Sequence, residues 1–285
     1  MIKKFNYLIQ SILIYLFFLL GRIVGLRISR KIFSKLFSSI GPLFKSKKTI
    51  YNNLETFSSQ ISDHEKKQIS NNMWKNYGMT FIEYIFLKNF RNNNSHISFK
   101  GEEILENIFQ NNKPVIFVSG HFANFELMSM EITKKNINLA TIYRPLNNFF
   151  LNPVMEYLRK KYVCKNQIKK GINGLRETIE YIKKNYSIAL MIDQRLSEGD
   201  KINFFGKPAS TTTLPAQLAF KYNLPIIPVF IQRINSENFQ IEFFEKIFPK
   251  NFKNKIELSQ KLNYVLEDMI KKNPNEWIWT HSRWK

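Results

Sequence analysis

The apolar positions of this chain change their period several times, and each change marks an element. Phe5 to Leu20 read FNYLIQSILIYLFFLL, 16 positions without a charge. That is close to the roughly 17–25 apolar residues a helix needs to cross a bilayer. Ile23 to Leu26 extend the run if the Arg22 stem lies along it with its charge in the headgroups. Lys3 and Lys4 precede the run; Arg22, Arg27, Arg30, Lys31 and Lys35 follow it. No small-residue cleavage site of the Ala-x-Ala kind comes next. Residues 1–26 therefore predict an uncleaved membrane anchor rather than a removed signal peptide, with a helix lying in the membrane plane as the alternative. The downstream basic excess predicts a body on the cytoplasmic side. From Ile28 to Phe44 the period becomes helical: Ile32, Phe33, Leu36, Phe37 and Ile40 recur with basic residues between them. Residues 27–45 thus predict a basic amphipathic helix, on the membrane surface or against the core, ended by Gly41-Pro42.

Beyond it, residues 46–285 read as one domain in which strand-like runs alternate with helical ones. A helix or pair of helices is predicted over His64–Asn89, where Met73, Trp74, Tyr77, Phe81, Tyr84 and Ile85 share a face. Strands are predicted at Ile97–Lys100, Pro114–Ser119, Leu139–Tyr143, Lys165–Ile168, Ser187–Ile192, Pro225–Ile231 and Phe239–Phe244. Helices are predicted at Glu102–Gln110, Asn124–Lys135, Asn152–Tyr162, Asn173–Lys184, Thr213–Tyr222 and Ile256–Lys271, with a loop around Phe204 to Pro208. Helices of this length between strands imply βαβ units, so the expected fold class is α/β: a mostly parallel central sheet flanked by helices. No internal repeat and no second domain are visible.

One stretch organises the rest. Val115 to Ser119 is a buried-type strand, Gly120 a turn, and His121 stands alone before a helix. His121 and Glu126 are five residues apart. On one continuous helix they would point about 140° apart, so they can cooperate only if His121 lies off the helix that carries Glu126. With Asn124 as N-cap, Glu126 falls in the first turn, where the helix dipole favours an ionised carboxylate. Such a carboxylate can orient an imidazole while its other nitrogen takes a proton from a hydroxyl. Taken alone, the pair reads more readily as a helix-start acid beside a surface histidine than as a catalytic one. Arg144, Asp193 and Gln194 each follow a strand end, where an α/β sheet gathers its ligands. The segment Gly206 to Thr213, containing Lys207, is rich in hydroxyls and leads into a helix, which suits an anion. It lacks the spacing of a nucleotide P-loop, and no Gly-x-Gly-x-x-Gly follows a strand.

Composition narrows the partners. A net charge of +21 favours anionic ones: nucleic acid, phospholipid, an acidic protein or a phosphorylated substrate. Cys164 is the single cysteine, so no internal disulfide is possible; it reads as a buried small hydrophobe. His64, His96, His121 and His281 are the only histidines, and no two have ligand spacing, so no metal site is expected.

Gly120-His121-Phe122-Ala123-Asn124-Phe125-Glu126 resembles the His-x4-Asp/Glu motif of glycerolipid-type acyltransferases, in the Glu form of the late acyltransferases of lipid A biosynthesis. The likeness extends over nearly the whole chain. Asn53-Leu54, Met73-Trp74-x-Asn76-Tyr77-Gly78 with Glu83 and Tyr84, and Tyr143 to Asn148 match in order. So do Asp193-Gln194, Phe204 to Ala209, Thr211 to Ala219, Pro225 to Val229 and Pro274 to Lys285. Trp277 stands where the family usually has Tyr, and Ala123 where it has Gly; neither departure is expected to touch the acid or the base. The resemblance implies a bacterial inner-membrane enzyme whose catalytic domain faces the cytoplasm. It would move a fatty acyl chain from acyl carrier protein to a hydroxyl on a phosphorylated, anionic glycolipid, the lipid A precursor, without a cofactor, a metal or nucleic acid. His121 would be general base and Glu126 its orienting acid. Arg144, Asn124, Asp193, Gln194 and Lys207 would contact substrate, and Arg144 or backbone N–H groups near Asn124 would face the oxyanion. The rival readings are a sister acyltransferase acting on glycerol phosphate, an aminolipid or another glycolipid, and a non-catalytic basic membrane adaptor.

Overall fold

The computed structural model describes residues 2–44 and 46–284. Lys45, the expected end of the interfacial helix, and Lys285, the last residue of the C-terminal motif, lie outside the described residues, as does Met1. Among the described residues nine strands follow in chain order: β1 (Ile97–Lys100), β2 (Ile116–Ser119), β3 (Leu139–Tyr143), β4 (Asn166–Lys169), β5 (Ser187–Met191), β6 (Asp200–Phe204), β7 (Lys207–Thr211), β8 (Ile226–Arg233) and β9 (Phe239–Phe243). Seven form one sheet in the order β1-β9-β8-β2-β5-β3-β4. The five from β8 to β4 are mutually parallel, while β9 runs antiparallel to β8 and pairs in parallel with β1. This is the mostly parallel α/β sheet that the alternating pattern implies. At the centre, every residue of β2 is buried. Its uninterrupted apolar run follows, because helices cover both faces.

The helices are α1 (Ile2–Val24), α2 (Leu26–Phe44), α3 (Lys47–Phe57), α4 (Asp63–Glu83), α5 (Leu87–Asn92), α6 (Glu102–Asn111), α7 (Glu126–Lys134), α8 (Asn152–Leu158), α9 (Ile172–Lys183), α10 (Leu214–Tyr222) and α11 (Lys255–Lys272). Four features depart from the sequence reading. Helix α2 runs through Gly41-Pro42 instead of ending there. Gly41 serves contact rather than termination: a Cβ there would lie 2.3 Å from the Trp74 ring of α4, and one at Gly78 would lie 2.2 Å from the Phe33 carbonyl oxygen. Helix α3 is additional, capped by the Ser46 hydroxyl on the Thr49 N–H. The expected loop around Phe204–Pro208 is the tip of an antiparallel β6–β7 hairpin. Phe205 and Gly206 both have positive φ, as a tight two-residue hairpin turn requires. The helix expected over Asn152–Tyr162 stops at Leu158 and continues as a π-helical turn through Val163.

Helix α1 is the one described helix long and apolar enough to cross a membrane. It does not project freely. The Ser11 hydroxyl donates to Asn148 Oδ1 at 3.0 Å, Asn148 Nδ2 to the Tyr7 carbonyl at 2.9 Å, and the Tyr15 hydroxyl to the Phe150 carbonyl at 2.8 Å. Further along, Phe18 is buried against Phe81. One face of α1 is therefore bound to the body. The opposite arc, including Phe5, Ile9, Ile12, Leu16 and Leu19, is exposed.

Candidate active site

The parallel pairing of β2 with β5 sets the site. Ser119 lies opposite Met191 at the carboxyl ends of the two strands. His121 and Asp193 are thus each two residues beyond a matched pair. Past β2 the chain turns sharply: the Phe122 N–H bonds the Gly120 carbonyl, and Phe122 bridges to Trp277. This keeps His121 off α7, which begins at Glu126, the placement that the five-residue spacing demands.

His121 meets an acid there, and the acid is Asp193. His121 Nδ1 lies 2.7 Å from Asp193 Oδ1, and the His121 backbone N–H donates to Oδ2 at 2.7 Å. The indole N–H of Trp277 donates to the same Oδ2 at 2.9 Å. Asp193 is buried. Burial pushes its carboxyl upward, but the charge and two hydrogen bonds of His121, with the Trp277 bond, outweigh it and hold the group at about 2. An ionised carboxylate only accepts hydrogen bonds. Nδ1 must then carry the proton, which leaves Nε2 as the ring's basic lone pair. Nε2 faces Gln194 Nε2 at 3.4 Å, and that amide nitrogen is also 3.4 Å from His281 Nε2. The Phe125 ring stands edge-on to the imidazole with centroids 4.7 Å apart. The side chain of His121 is 16% exposed, open enough for a substrate hydroxyl to reach it.

Glu126, expected on His121, is engaged elsewhere. Its Oε1 accepts from the Tyr84 hydroxyl at 2.5 Å and pairs with Arg159 Nε at 2.7 Å and Nη2 at 2.6 Å. Arg159 lies over the rings of Tyr84 and Tyr143. Burial alone would lower its pKa, but Glu126 and Tyr84 raise it, so the guanidinium stays charged. The physical reason for the exchange of acids is register: the β2–β5 pairing delivers Asp193 to the imidazole, while Glu126 on the first turn of α7 faces Tyr84 and the π-helical turn. Arg159 was invisible as a site residue, being one cation in the run Arg159-Lys160-Lys161; the π-helical turn that redirects it is a common mark of functional sites.

Asn124 does not cap α7, whose N-cap position is Phe125 with no side-chain bond. It is buried, and Nδ2 donates to Glu83 Oε2 at 2.9 Å. Glu83 also binds Arg30 Nε at 2.6 Å and Arg233 Nη1 at 2.7 Å. Burial raises the Glu83 carboxyl, but Arg233 and Arg30 lower it further than that, so it is held ionised. Asn124 is thus braced from behind. Arg144 is exposed in the loop after β3, at the same end of the sheet. Lys207 sits at the hairpin turn, exposed, and donates to the Thr56 hydroxyl at 3.2 Å. Two of the hydroxyls expected to cradle an anion are committed to the fold: Thr211 accepts from Arg283 Nη2 at 2.9 Å, and Thr213 donates to Asp200 at 3.1 Å.

One of the two sequence departures does reach the acid found on His121: Trp277 supplies the N–H on Asp193. Ala123 takes φ of +42°, a conformation that Gly adopts without strain. Asn53 on α3 binds the Trp279 and His281 carbonyls at 2.7 and 2.6 Å, which fastens the C-terminal segment over the site. Cys164 is buried and its thiol is pushed up to about 11, so it is no nucleophile. Among the described residues no cluster of His, Cys, Asp and Glu could hold a metal.

The family model for bacterial lipid A biosynthesis acyltransferases matches residues 2–285. Among curated proteins the chain is similar to lipid A biosynthesis acyltransferase 2 of Shigella flexneri. The two are 21% identical over 291 residues, which span 97% of this chain and 91% of that one. Among solved structures it is similar to the 1-acyl-sn-glycerophosphate acyltransferase PlsC of Thermotoga maritima, at 17% identity and a TM-score of 0.43, over 89% of this chain and all of that chain.

Proposed function

The chain belongs to the bacterial lipid A biosynthesis acyltransferase family, and from that premise we propose that it transfers a fatty acyl chain from acyl carrier protein to a hydroxyl of a lipid A precursor, with His121 as general base. The observation that carries the reading is the His121–Asp193 pair, which leaves Nε2 as the unprotonated nitrogen of a partly exposed ring. Nε2 takes the proton of the acceptor hydroxyl as its oxygen attacks the thioester carbonyl. The tetrahedral oxyanion collapses, the C–S bond breaks, and the departing sulfur recovers the proton from the imidazolium. An ester and a free thiol result. The route needs no acyl-enzyme, which suits a chain whose one thiol is buried and unactivated at the starting ends of β3 and β4. The oxyanion requires N–H or cationic partners; Arg144 and the backbone N–H groups at the start of α7 are the groups proposed for it.

The charge and α1 support the partners and the place. A net charge of +21 suits an acidic carrier protein and a phosphorylated glycolipid acceptor. The bare apolar arc of α1 suits an inner-membrane location, with the body on the cytoplasmic face where the carrier protein resides. The test is transfer by the purified full chain in neutral detergent, from acyl carrier protein thioesters to a labelled lipid A precursor, with mass spectrometry of the product. A new ester on the disaccharide lipid is expected. Transfer to glycerol phosphate but not to the disaccharide would refute the assignment.

A further inference from the structure

Between α2, α4 and the β8–β9 turn lies a groove of about 360 Å³, remote in sequence from His121. Arg27, Arg30, Lys31 and Lys35 of α2 and Lys75 of α4 line it, with Glu237 as its one acid. Glu237 is already taken: its Oε1 is 2.9 Å from Arg27 Nε. Lys31, Lys35 and Lys75 are exposed and make no ion pair among the described residues. Five cations thus converge on a groove lined by one acid, with Glu83 pairing Arg30 beneath it, which leaves the three lysines unanswered among the described residues.

Arg30 makes this more than a solvated basic face. It is 3% exposed, and although Nε binds Glu83 and Nη1 reaches the Glu237 carbonyl at 3.3 Å, its buried Nη2 has no partner among the described residues. Its guanidinium also lies 5.6 and 5.7 Å from the Phe90 and Phe239 ring centroids, so Arg30 is a fixed, buried cation beneath the groove rather than a free donor in it. The groove's surroundings identify the body of its ligand. Ile28 and Ile32 on α2 and Ile234 in the β8–β9 turn are exposed beside it, and the bare apolar arc of α1 leads into α2 through Gly25. A free inorganic anion has no use for apolar flanks, whereas a lipid has a phosphate to bind and hydrocarbon to cover them.

We infer that this groove binds the phosphate headgroup of an anionic membrane lipid, held by Lys31, Lys35 and Lys75 with Arg30 beneath. The site is independent of the transfer chemistry assigned to His121. It does touch the braced turn: Arg30 holds Glu83, which holds Asn124.

The experiment is calorimetric titration of the full chain in neutral-detergent micelles with dihexanoyl phosphatidylglycerol, and separately with inorganic phosphate. Saturable one-site binding of the lipid is expected, tighter than that of inorganic phosphate. Lys31→Gln/Lys35→Gln/Lys75→Gln should weaken it on the order of 100-fold, since each cation at an anionic headgroup contributes about fivefold. Lys250→Gln/Lys253→Gln/Lys261→Gln lowers the net charge equally through exposed lysines elsewhere and should bind as the parent does. Both variants should melt at the parent temperature, which separates loss of the site from loss of fold. Equal weakening in the two variants would overturn the inference, as would no saturable lipid binding, or inorganic phosphate binding as tightly as the lipid. Acyl transfer is not read, so failure here leaves the function proposed for His121 standing, and failure there leaves the groove.

Discussion

His121 is held by a carboxylate 72 residues further along the chain: Asp193 Oδ1 lies 2.7 Å from its Nδ1. The Glu five residues away is bound instead to Tyr84 and Arg159. Two separate polar assemblies therefore flank the turn after β2. One fixes the imidazole, and the other fixes the start of α7 against the core. They are built differently, and they should fail differently.

Removing one member of the second assembly should unfold before it inactivates. Arg159→Ala leaves Glu126, whose side chain is 8% exposed, without its cation. Stripping one partner from a buried ion pair costs about 3–5 kcal/mol. Urea denaturation should show that loss, and Glu126→Gln/Arg159→Met, which removes both charges, should recover most of it. Equal stability of Arg159→Ala and the parent would mean that the pair does not hold the turn.

Asp193 should contribute stability that acid removes. Its folded pKa is lowered from 3.8 to about 2, so the contribution is fully present above about pH 4 and is lost as pH falls through 2. A shift of that size is worth about 2 kcal/mol. The stability gap between the parent and Asp193→Asn should narrow as pH is lowered from 5 toward 2. A gap that stays constant with pH would show that the carboxylate's charge is not what stabilises.

Glu276 should act in the opposite sense. Burial, only partly offset by the Arg233 N–H and charge, raises its pKa from 4.5 to about 7. Folding then favours the protonated acid, so stability falls as pH rises from 4.5 to 7, by about 3 kcal/mol in all. Glu276→Gln mimics the neutral form. It should raise the melting temperature at pH 8 and change it little at pH 4. Equal shifts at both values would place the effect in packing.

Much of the fold was legible because its signals are local. The apolar run of β2, the helical period of α11 and the alternation between them need no partner to be read. The placement of His121 off α7 was also legible, from the apolar run that ends in Ser119-Gly120 ahead of a helix; the five-residue spacing only made that placement a condition for a pair with Glu126 that the fold does not form. The partner of His121 was not. Asp193 is chosen by β2 lying beside β5 in register, and nothing near either residue states which strands are neighbours. Arg159 was hidden for a similar reason: its direction comes from a π-helical turn inside what reads as a plain basic helix. The β6–β7 hairpin carried a signal in Phe205-Gly206, but a Phe at positive φ disguises a turn that Asn would have announced. Gly41 read as a helix stop because glycine at a close helix crossing looks the same as glycine at an end until Trp74 is seen against it.

The central claim is that Asp193 fixes the tautomer through which His121 acts. In Asp193→Asn the amide must turn its NH2 toward Nδ1 if its oxygen keeps the His121 and Trp277 N–H groups, and the ring proton is then forced onto Nε2. The decisive measurement is kcat for acyl transfer by His121→Ala, Asp193→Asn and the double variant, each shown to be folded. Both single variants should lose roughly 10²–10⁴-fold, and the double should lose no more than His121→Ala, because the two residues act as one unit. Transfer by Asp193→Asn at the parent rate, or losses that multiply in the double variant, would contradict the account.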